Sequence, residues 1–136
     1  MLDELETLLA SFRAIGAGVG IGTDLDGSRV VWGIQCGQNA AANDEHASLL
    51  PAFPRLRAVG FQATSITNRS LRYFAELPLL ETLDLARTSI TDTGLGFLAP
   101  LKCLEYLHLE ETSVTEFDIL ELQRQLPNCE ICSDFD

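Results

Sequence analysis

The stretch LETLDLARTSITD, residues 80–92, has two counterparts displaced from it by 24 residues. Forward it falls on LEYLHLEETSVTE, residues 104–116, with Leu80 over Leu104, Leu83 over Leu107, Leu85 over Leu109, Thr88 over Thr112 and Ile90 over Val114. Backward it falls on LRAVGFQATSITN, residues 56–68, with Leu56, Val59, Phe61, Thr64 and Ile66 in register. A weaker unit, VWGIQCGQNAA from residue 31, places Val31, Ile34, Cys36 and Asn39 in the same roles but needs a spacing of 25 to reach Leu56. A unit this short cannot bury its apolar side alone, so the chain must stack its units on one another.

Leu83 and Leu85 are two residues apart and share one side of a short strand, while Thr82, Asp84 and Ala86 take the other. Parallel stacking buries the leucine side against the returning half of each unit. Asn39, Thr64, Thr88 and Thr112 follow each strand where the chain turns inward, and their short polar side chains suit backbone groups exposed by the turn. The return halves carry helical signals. TDTGLGFLAPL has Leu95 and Leu98 three apart, with Thr91 or Asp92 as cap. TEFDILELQRQL follows Thr115 with Asp118 in capping-box spacing and gives an apolar stripe of Ile119, Leu122 and Leu126. Pro78 and Pro127 fall where helices should already be ending, and Pro100 cuts the third one short. Helices on the outside and strands along the inner curve are predicted.

The ends read differently. Residues 2–13 place Leu2, Leu5, Leu8, Leu9 and Phe12 on one face of a helix, and Asp26-Gly27 marks a turn before Val30 and Val31. Residues 1–30 are therefore expected to form an amino-terminal cap. Repeats begin near 31, 56, 80 and 104, and residues 129–136 are expected to form a carboxy-terminal tail, all within one domain. The glycine series GAGVGIG lacks a preceding strand and a phosphate-holding lysine, so it reads as irregular cap backbone.

With a formal charge of -11, the chain would repel a phosphate backbone, and no basic patch overrides that field. A protein or peptide partner with a basic patch is favoured, and neither nucleic acid nor membrane is expected. The acidic start MLDELETLLASF is unlike a signal peptide, and no apolar run approaches a membrane span, which makes a cytoplasmic location the expectation. Cys36, Cys103, Cys129 and Cys132 do not form the framework of a small disulfide-held fold, because the chain is long enough to build a core without one.

The pattern L-x-x-L-x-L-x-x-N/T, continued as TSITDTGL in residues 88–95, resembles leucine-rich-repeat proteins of the ribonuclease-inhibitor-like and cysteine-containing types, including short bacterial members. The resemblance covers about residues 31–131. It places the family's core positions on Leu80, Leu83, Leu85, Leu104, Leu107 and Leu109, its polar ladder on Asn39, Thr64, Thr88 and Thr112, and its Leu-Pro-x-Cys ending on Leu126 to Cys129. It implies an α/β right-handed horseshoe with parallel inner strands and short outer helices. It also implies a non-enzymatic protein-binding module, or more remotely a ubiquitin-ligase substrate adaptor, although no F-box-like segment is evident.

In that register the inner face carries three columns: Gly33, Ala58, Thr82, Tyr106; Gln35, Gly60, Asp84, His108; and Gly37, Gln62, Ala86, Glu110. The first half is small and bland. Binding is expected at Thr82, Asp84, Tyr106, His108 and Glu110, with Tyr106 as anchor and Glu81, Glu105, Arg87 and Glu111 at the flanks. Asp84 beside His108 suggests an oriented imidazole, but no Ser, Thr or Cys stands beyond it as nucleophile and an open face does not exclude water. No catalytic residue, metal or cofactor is assigned. Cys129-x-x-Cys132 is half a zinc site that, even with Cys103, lacks a fourth ligand, and a Cys103–Cys129 disulfide requires their Cα atoms within about 7 Å. TDLDGS opens like a calcium loop but has Arg29 and Gln35 where glycine and glutamate are needed. The alternative function is self-assembly through outer helices or exposed ends, with Phe117 and Phe135 as the residues involved.

Overall fold

The repeated leucines form the rungs of a six-stranded sheet with strands in the order of the chain. In the computed structural model, which describes residues 4–135, these strands are β1 (Gly18–Thr23), β2 (Arg29–Gln35), β3 (Ala58–Gly60), β4 (Thr82–Asp84), β5 (Tyr106–His108) and β6 (Glu130–Cys132). The first pair is antiparallel and every later pair is parallel. The returns are α2 (Asp44–Ser48), α3 (Leu71–Phe74) and α4 (Glu116–Gln125), with 3-10 turns at Leu50–Ala52, Asn68–Ser70 and Asp92–Leu98. The return over TDTGLGFL is thus 3-10 throughout: Gly94 and Gly96 weaken the α-helix there, and Pro100 ends it.

The inner-face columns have the predicted register. Gly33 pairs with Ala58, Ala58 with Thr82 and Thr82 with Tyr106, while Gln35, Gly60, Asp84 and His108 form the second row. Behind them Val59, Leu83, Leu85, Leu107 and Leu109 are buried against Leu71, Phe74, Leu95, Leu98, Ile119 and Leu122 of the returns. Phe61 and Phe74 pack with ring centroids 5.7 Å apart.

Both ends differ from the sequence expectation. The closing tail contains a fifth parallel strand, in which Glu130, Ile131 and Cys132 pair with Tyr106, Leu107 and His108. At the other end, GVGIGT is the regular strand β1 rather than irregular backbone. Its Val19 and Ile21 face the core, while Gly18, Gly20 and Gly22 alternate onto the other face. Helix α1 (Glu4–Ala14) buries Leu9 and Phe12 completely but leaves Leu8 40% exposed, so Leu8 is not part of the core face; Leu2 lies outside the described residues. The helix closes with Gly16 in the left-handed region and with bonds from Ala17 N–H to the Phe12 carbonyl and from Gly16 N–H to the Arg13 carbonyl. Asp24 to Ser28 then turns β1 into β2, with Gly27 at φ 87.

Two polar series join the units. Thr64, Thr88 and Thr112 each donate the hydroxyl to the carbonyl three residues earlier, on Phe61, Leu85 and Leu109. Asn39 serves the same turn differently, donating Nδ2–H to the Ile15 carbonyl of the cap at 2.6 Å. The second series runs through the helix starts, where Asn43, Thr67, Thr91 and Thr115 are N-caps. The residue after each of the first three accepts the backbone N–H of the following cap: Asp44 from Thr67 at 2.8 Å, Asn68 from Thr91 at 3.0 Å and Asp92 from Thr115 at 2.8 Å. The capping box expected at Thr115 is therefore half formed. Its hydroxyl accepts from Asp118 N–H, but its own N–H goes to Asp92 of the preceding unit.

Candidate functional site

The strand register brings Thr82, Asp84, Tyr106, His108 and Glu110 to one region of the inner face. Tyr106 is 47% exposed, with its backbone held by the ladder. Asp84 Oδ1 accepts from Ala86 N–H at 3.1 Å. His108 pairs across the strands with Asp84, as expected, and its Nδ1 also lies 3.5 Å from Glu110 Oε1. That Glu110 oxygen is shielded from solvent and accepts no hydrogen bond, so His108 and Glu110 become an ion pair only when the ring is protonated.

Strand β6 adds a rung that the sequence reading omitted. It sets Cys132 beside His108 and Glu130 beside Tyr106. Asp134 follows and receives the Glu111 N–H on both carboxylate oxygens, at 3.1 and 3.0 Å. A thiol does therefore stand next to the histidine, contrary to expectation. Its chemistry is unfavourable for attack: partial burial, then the negative charges of Glu110, Glu130 and Asp84, push the Cys132 thiol up from its ordinary range. The neutral thiol is the poorer nucleophile and the poorer metal ligand. Among the described residues no group of three or more His, Cys, Asp or Glu side chains is arranged to hold a metal ion.

The first half of the inner face is not bland. Trp32 is 48% exposed. Its carbonyl receives the Arg57 N–H at 2.8 Å, and the carbonyls of Arg57 and Glu81 receive Glu81 and Glu105 in turn, so Trp32, Arg57, Glu81 and Glu105 form a flanking column. The indole lies across β1. A Cβ on Gly20 would come within 2.5 Å of its ring atoms, and one on Gly22 within 3.5 Å. The glycines of β1 thus make the bed of this ring, a role that an alternation of glycine with valine and isoleucine signals once a strand is recognised. Between Trp32 and the Asp84–His108 row lies a hollow of about 320 Å³ floored by Gly33, Ala58 and Gly60.

The remaining sequence candidates have structural roles. Asp26 Oδ1 accepts from both the N–H and the hydroxyl of Ser28, and Asp24 pairs with Arg55 at 2.7 Å, so the TDLDGS carboxylates hold the hairpin turn. His46 Nδ1 accepts from Asn43 N–H, closing a capping box on α2. All four cysteines are free thiols. Cys129 is buried and Cys132 is on the inner face, so the C-x-x-C pair is divided between two environments. Burial pushes the Cys36 thiol up to about 11. Burial, with Cys132 and Glu130 nearby, does the same to Cys129, also to about 11. Among the described residues no helix is long and apolar enough to cross a membrane.

No protein-family model matches the chain, and no curated protein matches it. Among solved structures it is similar to internalin C2 from Listeria monocytogenes, at 23% identity and a TM-score of 0.52, over 62% of this chain and 34% of that one. It is also similar to the leucine-rich-repeat ectodomain of the receptor kinase SOBIR1 from Arabidopsis thaliana, at 11% identity and a TM-score of 0.49, over 93% of this chain and 89% of that one. The chain spans about a third of the internalin's length. Together with the 24-residue ladder, the first likeness defines the fold as an α/β leucine-rich-repeat solenoid whose sheet is not closed.

Proposed function

We propose that this chain is a non-enzymatic protein-binding module that uses its inner face. The observation that carries this reading is a pair of half-exposed aromatic rings, Trp32 and Tyr106, at the two ends of a small-residue floor on a backbone fixed by parallel pairing. Rigid aromatic anchors bring large contact area at low entropic cost. Asp84, Glu110, Glu130 and Asp134 near Tyr106 favour a partner with a basic patch, in keeping with a chain of 20 acidic and 9 basic residues. The pattern TSITDTGL and the threonine turns support the ribonuclease-inhibitor-like type within the fold, and the formal charge of -11 supports a partner that is not nucleic acid.

Affinity capture from the source cell lysate with the intact protein tests the reading, beside a Tyr106/His108/Glu110 triple alanine variant matched for folding. A partner retained by the native protein and lost by the variant is expected. Equal capture by both would refute inner-face binding. A second reading, self-assembly through the outer surface, is favoured by Phe117 at 70%, Leu120 at 55% and Phe135 at 41% exposure. Sedimentation showing a concentration-dependent dimer that Phe117→Ser abolishes would select it.

A further inference from the structure

The hollow beside Trp32 has walls of two kinds. On one side stands the indole over β1, and on the other stands Asp84 on β4. Asp84 Oδ1 accepts the Ala86 N–H and, among the described residues, Asp84 has no ion-pair partner; the nearby Arg87 pairs with Glu111. The floor between them is kept low by a residue the fold does not require to be small. Gly33 is not in the left-handed region, and a Cβ there would meet only the Ala58 carbonyl oxygen at 3.6 Å and the Ala58 Cβ at 3.9 Å, both ordinary contacts. Glycine weakens a strand, so its use at Gly33 lies in the space it leaves open. Gly60 differs, because a Cβ there would strike the Gln35 side chain.

We infer that this hollow takes a single arginine side chain of the partner, its stem lying along Trp32 and over Gly33 and its guanidinium against the Asp84 carboxylate. The inference rests on the inner-face reading above and names the chemistry that the first half of that face selects. From β2 to β4 is two strand spacings, about 10 Å, which calls for a long side chain. The aliphatic stem of arginine suits the aromatic wall, and its weakly hydrated planar head suits a carboxylate with acceptor capacity to spare. The excess of acidic residues supplies the attractive field.

Trp32 is the chain's single tryptophan, so its fluorescence reports on this hollow alone. The intact protein is titrated with N-acetyl-Gly-Arg-Gly-amide, with the uncharged citrulline counterpart, and with free arginine. A saturable change in emission with the arginine peptide is expected, weakened about tenfold for citrulline and about tenfold by Asp84→Asn, the loss expected for a hydrogen-bonded charge. Gly33→Leu, which fills the floor, is expected to abolish the response while leaving the thermal melt unchanged or raised. No saturable response, or equal responses to the arginine and citrulline peptides, would overturn the inference. Free arginine binding as tightly as the peptide would also overturn it, by assigning the hollow to a small guanidino compound. If capture by the native protein is still lost in the Tyr106/His108/Glu110 variant, such a result removes the arginine site alone; if both fail, the inner-face reading falls with it.

Discussion

Asp44 offers the sharpest test of what joins one unit to the next. Its Oδ1 accepts from Thr67 N–H at 2.8 Å and from the Ser70 hydroxyl at 2.5 Å, and its Oδ2 accepts from the Thr67 hydroxyl at 2.6 Å. Thr67 is exposed and can turn to water, but Ser70 is fully buried and cannot. Asp44→Ala therefore strands one buried hydroxyl and removes two further charge-assisted bonds, a loss of about 2 to 4 kcal/mol. Asp44→Asn should lose about 1 kcal/mol or less, because the next unit shows how asparagine fits: Asn68 accepts from Thr91 N–H and donates Nδ2–H to the Thr91 hydroxyl. The pH dependence separates the two effects. Burial alone would raise the Asp44 carboxyl, but the bonds from Ser70 and Thr67, with the charge of Arg69, outweigh it and hold the group below its ordinary value of 3.8. A depressed carboxyl contributes stability above its unfolded value and loses it as pH falls through the folded one. The advantage of the native protein over Asp44→Asn should thus be constant at neutral pH and vanish in acid. Urea unfolding from pH 7 down to the acid limb measures both. An alanine variant within about 0.5 kcal/mol of the native protein, or an asparagine variant whose deficit grows in acid, would refute the reasoning.

Other consequences concern the core, the turns and the thiols. Leu85→Ala should lose about 2 to 5 kcal/mol by opening a cavity, whereas Tyr106→Ala should stay within about 1 kcal/mol; a thermal melt in which Tyr106 is the costlier site would contradict the register. Ala63 is held at φ 53, in the left-handed region. Ala63→Gly should raise the unfolding free energy by about 0.5 to 1 kcal/mol, seen as a higher urea midpoint, the relieved strain exceeding the added freedom of the unfolded chain, and a lowered midpoint would count against this. In native protein a thiol reagent should modify exposed Cys103 first and leave buried Cys36 and Cys129 unreacted until denaturant is added; mass mapping that finds Cys36 labelled early would contradict the burial.

The leucine spacing made most of the ladder legible because a period that places Leu83 and Leu85 on one side also fixes Thr82 and Asp84 on the other. The five expected inner-face residues came together for that reason. Strand β6 escaped because Ser133 stands where Leu109 would recur, so the apolar pattern fades while backbone pairing continues. Trp32 escaped because it belongs to the flanking column, and its exposure depends on the glycine face of β1, whose local pattern reads equally as loop. The left-handed residues Gln38, Ala63, Arg87 and Glu111 share one phase of the repeat, yet no residue type marks it. There the turn geometry overrides local preference. The exchange of a cap's N–H between units was hidden too, since Asp44, Asn68 and Asp92 each look like ordinary first-turn residues.

That exchange has a consequence for how such a chain changes length. Asp44 over Thr67, Asn68 over Thr91 and Asp92 over Thr115 are three copies of one junction. Removing residues 68–91 as a block would leave Thr67 followed by Asp92, with Asp44 still facing Thr67 and Asp92 still facing Thr115. Duplicating the block would be equally silent at every seam. A gene encoding such a chain can lengthen or shorten the product by whole turns while each surviving joint keeps its donor and acceptor, so new inner-face area can be inherited in complete units.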